Sequence, residues 1–217
     1  MGKIADRINR NRLFSGIDRD TFARVVMNVS KATSQNPLAD CQAIAFMSKK
    51  ALQRLGVPTQ FVAGYAAWRV DPNDDGAVSC HHPLMMTSVD PVSEGTTSLK
   101  GHCWLETGND IIDFSTYQIP YKLKLVDDTD GRTTKITWKP NYLWIDKKQL
   151  LKIQDVINGY RVGAYYESVT ELTDQWLSKP PIVDEAVDMI VNIYRIEKDN
   201  PIVKNVNVTG VCEFYND

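Results

Sequence analysis

The sequence has little of what marks the unusual classes of protein. Four cysteines, Cys41, Cys80, Cys103 and Cys212, are scattered through 217 residues, too few and too far apart for a disulfide scaffold. They are expected to be reduced thiols, and a reduced thiol can be a nucleophile. Neither sign of charge dominates: 25 basic residues face 27 acidic ones, a net charge of −2. That balance lacks the basic footprint of a nucleic-acid binder, so nucleic acid is not an expected partner. No stretch approaches the roughly 18 consecutive apolar residues of a membrane span. The start, Met-Gly-Lys-Ile-Ala-Asp-Arg, has no apolar core for a signal peptide and puts Asp6 where a myristoylation signal needs Ser or Thr. A cytoplasmic protein without membrane attachment is the expectation. No repeat or low-complexity block is evident.

What is present is ordinary globular material, 43% apolar and 24% charged, and its length fits one domain over residues 1–217. Residues 1–34 read as helical, with Phe22, Val25, Val26 and Val29 at helical spacing behind Asp18 as N-cap. A second helix is predicted from Cys41 to about Leu55, stopped by Gly56 and Pro58. Thr59 to Val70 reads as a strand. Residues 71–100, rich in Asp, Gly, Pro, Ser and Thr, read as one long loop, a lid or rim carrying His81 and His82. Strands at His102–Glu106 and Ile111–Ser115 are joined by the turn residues Thr107-Gly-Asn-Asp110. Beyond Tyr117, strand-like pieces (Lys135–Trp138, Tyr142–Ile145) precede helical ones (Gln149–Asn158, Ile182–Glu197). The whole predicts an α+β fold, helices mainly at both ends around an antiparallel sheet.

A catalytic thiol attacks as its thiolate, which the unsatisfied N–H groups and partial positive charge of a helix start favour. Cys41 opens the second helix, with Asp40 positioned to cap it. The bland reading is a buried cysteine acting as a small hydrophobe. Thiol chemistry also calls for an imidazole whose far nitrogen is fixed by another group. Among three histidines, His102 begins the run His-Cys-Trp-Leu-Glu, and Asp113 follows after the turn. If Glu106 pairs with Ile111, His102 and Asp113 become diagonal neighbours on one sheet face; a one-residue slip would separate them. Glu106 is too far along its strand to reach the imidazole, and Asp110 is expected to face solvent.

A cysteine opening a helix, a following Leu-Gly-Val-Pro and a strand, then His-x-Trp-x-Glu and a hairpin ending in Ile-Asp resemble the transglutaminase-like cysteine proteins, which share a papain-like core. The resemblance covers about residues 35–116. It implies a helix bearing Cys41 packed on an antiparallel sheet bearing His102 and Asp113, which act as nucleophile, base and orienting group. It further implies an oxyanion donor at Gln35, six residues before the cysteine; Trp104, by its position in the hairpin beside the proposed dyad, is a substrate-binding candidate. The function it implies is hydrolysis of an amide or related acyl bond in a peptide, protein or small molecule, through a thioester and with no cofactor. Cys103 replaces the alanine common in the family, the interval from His102 to Asp113 is short, and the 71–100 segment is unusual.

Three alternatives remain open. Acyl transfer would use the same triad with a different nucleophile resolving the thioester. A non-catalytic binding module of the same fold would need none of the three residues together. Cys80, His81 and His82 with His102 and Cys103 offer zinc-type ligands, but lack a Cys-x-x-Cys pair, so no metal is expected.

Overall fold

The computed structural model describes residues 16–34, 40–73, 78–82 and 101–199, together with the short backbone pairs 205–206 and 212–213. The fold is α+β. It groups into two compact units, one drawn from residues 1–59 and 181–217, the other formed by Gln60–Pro180. No helix among the described residues is long and apolar enough to cross a membrane.

The first unit is helical: α1 (Arg19–Thr33), α2 (Cys41–Arg54) and, from the far end of the chain, α6 (Asp184–Asp199). The sequence pattern accounts for each. Asp18 caps α1 by accepting from the backbone N–H groups of Asp20 and Thr21. Phe22, Val25, Val26 and Val29 form its buried stripe, and Val187, Ile190, Val191 and Tyr194 form that of α6. The two stripes meet, with the Phe22 and Tyr194 rings edge to face at 5.6 Å. The Tyr194 hydroxyl also accepts from the Asp18 N–H at 2.9 Å. α2 packs on α6 as well, with Lys50–Asp184 and Arg54–Asp188 ion pairs at the exposed margin.

The second unit is built on a six-stranded antiparallel sheet: β1 (Gln60–Arg69), β2 (Val78–His81), β3 (His102–Thr107), β4 (Asp110–Asp113), β5 (Leu143–Asp146) and β6 (Gly163–Ser168). At Gly64, β1 is flanked by His102 of β3 on one edge and Ser168 of β6 on the other. At Ala66 it is flanked by His81 of β2 and Tyr166 of β6. β2 and β3 therefore follow one another along the same edge, with residues 82–101 joining them. This corrects the reading of 71–100 as one loop: four of its residues are a strand, too short to stand out without its partner. Gly64 is required where β6 closes in, because a Cβ there would lie 2.0 Å from the Glu167 carbonyl oxygen.

Other sequence expectations change too. The region after Tyr117 contains α3 (Ile119–Asp130), which has Pro120 in its first turn and ends on Gly131 in the left-handed conformation, φ 66°. Lys135–Trp138 is irregular, Gln149–Asn158 shortens to α4 (Ile153–Asn158), and a further helix, α5 (Thr170–Leu177), follows β6. The tail contributes a short antiparallel pair, Asn205–Val206 with Cys212–Glu213. A core cluster of the sheet unit gathers Val62, Trp68, Trp104, Ile111, Leu123 and Tyr166.

Candidate functional site

The β3–β4 hairpin carries the candidate chemistry. Its two-residue turn is made possible by Gly108 at φ 55°, and it pairs Thr107 with Asp110, Glu106 with Ile111 and Leu105 with Ile112. That is the register read from the sequence, and it sets His102 and Asp113 on one face. His102 Nε2 lies 2.7 Å from Asp113 Oδ2, with His102 1% and Asp113 2% exposed. An ionised carboxylate only accepts, so the proton is on Nε2 and Nδ1 is the nitrogen available for proton exchange.

Asp113 is held by more than the imidazole. Its Oδ1 accepts from the Ser115 N–H at 2.8 Å and hydroxyl at 2.7 Å, and its Oδ2 also accepts from the Tyr166 hydroxyl at 2.7 Å. Burial by itself would raise the carboxyl above its ordinary range. The His102 charge and the hydrogen bonds from His102, Tyr166 and Ser115 outweigh it and leave the carboxyl below that range, so Asp113 is ionised. Sequence reasoning missed Tyr166, and no local signal marks it, because its partner lies 53 residues away.

The imidazole is enclosed by rings. His81 stacks on it at 5.7 Å and 18° between planes, Trp104 lies on a near-parallel plane at 6.4 Å, and Trp68 stands edge-on at 4.8 Å. His81 is therefore part of the imidazole's wall. Burial, then the positive charges of Lys122 and His102, hold His81 well below the ordinary imidazole range. His82 turns away from this stack, between the rings of Tyr65 and Tyr165 and 3.6 Å from Glu167. Trp104, the substrate-binding candidate, is 1% exposed and donates its indole N–H to Glu106 at 3.2 Å. Glu106 is paired with Lys147. Asp110, expected to face solvent, instead accepts from the Trp144 indole at 3.0 Å, because β5 covers that end of the hairpin.

Cys41 belongs to the helical unit and is the first residue of α2, 7% exposed. Asp40 occupies the N-cap position but makes no side-chain cap bond; its carboxylate accepts from the Ser34 hydroxyl instead. The expected side-chain cap of α2 by Asp40 is therefore not formed. Cys103 is also a buried free thiol, and strand alternation sends it to the sheet face opposite His102. Gln35 lies outside the described residues, as do the side chains of Cys80 and Cys212. Among the described residues no cluster of three His, Cys, Asp or Glu side chains is arranged to hold a metal.

No family model matches the chain, and no curated protein matches it either. A solved structure described as the crystal structure of genomics APC5867 aligns with a TM-score of 0.46 at 15% identity, over 89% of this chain and 87% of that one. A likeness this distant assigns no family or function. The chemistry rests on the residues themselves. The sheet unit offers an imidazole whose Nε2–H is directed to an ionised carboxylate and whose plane is set by three rings. Such a group accepts a proton at Nδ1, and the buried negative charge behind it stabilises the resulting imidazolium.

Proposed function

We propose that this protein is a cysteine-dependent hydrolase with a transglutaminase-like, papain-like core, cleaving an amide or related acyl bond of a peptide, protein or small molecule. Cys41 is the nucleophile, His102 the base and Asp113 the residue that orients it. The observation that carries this reading is the buried 2.7 Å contact between His102 Nε2 and Asp113 Oδ2. An imidazole oriented by a buried carboxylate supports a general-base role for His102. In the proposed reaction the Cys41 thiolate adds to the carbonyl carbon, and the imidazolium gives its proton to the departing amine. The thioester that remains is cleaved by a water deprotonated at Nδ1. Water is the default acceptor because it is always at hand.

Alkylation with iodoacetamide tests the reading directly. At mildly acidic pH, where ordinary thiols are protonated, Cys41 is expected to react first, ahead of Cys80, Cys103 and Cys212. His102→Ala is expected to slow that reaction on the order of a hundredfold near about pH 6. Adducts mapping first to another cysteine, or a Cys41 rate indifferent to His102, would overturn the assignment.

A further inference from the structure

We propose that Tyr166 is a positioning residue that sets how strongly Asp113 binds the His102 imidazolium, by sharing the same carboxylate oxygen. The inference deepens the catalytic reading above and rests on it only for its effect on turnover.

The polarity of the chain of bonds is fixed by the groups in it. The Trp68 indole nitrogen lies 3.0 Å from the Tyr166 hydroxyl and can only donate. The hydroxyl oxygen is therefore an acceptor there, and its one proton points to Asp113 Oδ2 at 2.7 Å. On the other side of the same oxygen, His102 Nε2–H donates at 2.7 Å. Ser115 supplies both donors to Oδ1, so four donors fill the four lone-pair positions of the carboxylate. The carboxylate cannot rotate without losing bonds on both oxygens. Burial, then the neighbouring Asp113 charge, raise the Tyr166 phenol well above its ordinary range, so the group donates its proton and does not ionise.

Two donors on one oxygen compete. The proton given by Tyr166 draws charge density from Oδ2 and leaves less for the imidazolium that forms when His102 accepts a proton. The other charged or titratable groups facing the ring are His81 from β2 and, acting on His81, Lys122 from α3. Glu106, further along β3, is already engaged by Lys147. Tyr166 is thus the one of these neighbours that acts on the ring through a hydrogen bond to its carboxylate. Ala66, opposite Tyr166 across the strand pair, has the small side chain beside which the phenol can reach the hairpin.

The full chain labelled with ¹⁵N-histidine shows three imidazoles, and the titration of His102 is the readout. Tyr166→Phe keeps the ring and removes the hydroxyl; the His102 midpoint is expected to rise by about one pH unit. Site-specific 3-fluorotyrosine at 166 makes a stronger donor of nearly the same shape, and the midpoint is expected to fall. A midpoint unmoved by both, or moved in the same direction by both, overturns the proposal and leaves Tyr166 as packing. If Tyr166→Phe does not fold, the fluorinated protein decides alone. Shifts of opposite sign without a change in the pH dependence of Cys41 alkylation would uphold the Tyr166 coupling and remove the catalytic reading instead.

Discussion

Each unit buries a carboxylate, and the two behave in opposite ways. Asp113 in the sheet unit receives four hydrogen bonds, and its carboxyl is held below the ordinary range. Glu197 in the helical unit is also buried, but among the described residues its ion partner is a single guanidinium, Arg24, at 2.7 Å. There the cost of burial outweighs Arg24, and the carboxyl rises above its ordinary range. Burial alone does not decide the charge state of an acid; the number and polarity of its donors do. The sheet can supply them because β-strands deliver side chains from distant parts of the chain to one face. A pair of packed helices mostly offers apolar stripes and a solvated margin.

The largest effect should come from emptying the better-satisfied site. Asp113→Ala strands the donors of His102, Tyr166 and Ser115 in the interior, and a loss of about 3–5 kcal/mol is expected in urea unfolding. Asp113→Asn probes the pH dependence. A carboxyl depressed in the folded state stabilises above its unfolded range, and that stabilisation is lost as pH falls through the folded value. Wild-type stability is therefore expected to decline more steeply than that of Asp113→Asn on acidification from about pH 5. Parallel acid profiles would break the contrast between the two carboxylates.

A smaller effect of opposite sign sharpens it. Because the Glu197 carboxyl is raised, its linkage favours folding at low pH and weakens it as pH rises through the folded value. Glu197→Gln is expected to change neutral-pH stability by about 1 kcal/mol or less, in either direction, and to remove that pH dependence. The smallest change belongs to the exposed margin, where Arg54 pairs with Asp188 on side chains 46% and 62% exposed. Arg54→Ala is expected to shift stability by about 0.5 kcal/mol or less, and a larger loss would show that surface ion pairs hold the helices.

Local pattern was enough for much of this molecule. The stripe of Phe22, Val25, Val26 and Val29, the Asp18 cap and the start of α2 at Cys41 follow from spacing and capping within one or two turns. The β3–β4 hairpin was equally legible, since a two-residue turn with Gly108 leaves little choice of register. That register alone brings His102 to Asp113. The α3 helix was missed although Pro120 and Gly131 bracket it, because short apolar runs near it read equally well as strands.

The remaining features belong to the tertiary structure. Nothing near Tyr166 specifies that β6 pairs with β1 so as to set it opposite Ala66, nor that its hydroxyl meets an aspartate from another strand. Nothing near His81 specifies that β2 and β3 share one edge of β1, two register positions apart, so that two imidazoles from residues 81 and 102 stack. Sequence fixes what is local because helical spacing and tight turns couple residues a few positions apart. Strand pairing couples residues at any separation, through a register that only the assembled sheet defines. The pairing of His102 with Asp113 was thus legible from the hairpin, while the Tyr166 hydroxyl and the rings around the imidazole were decided by the fold.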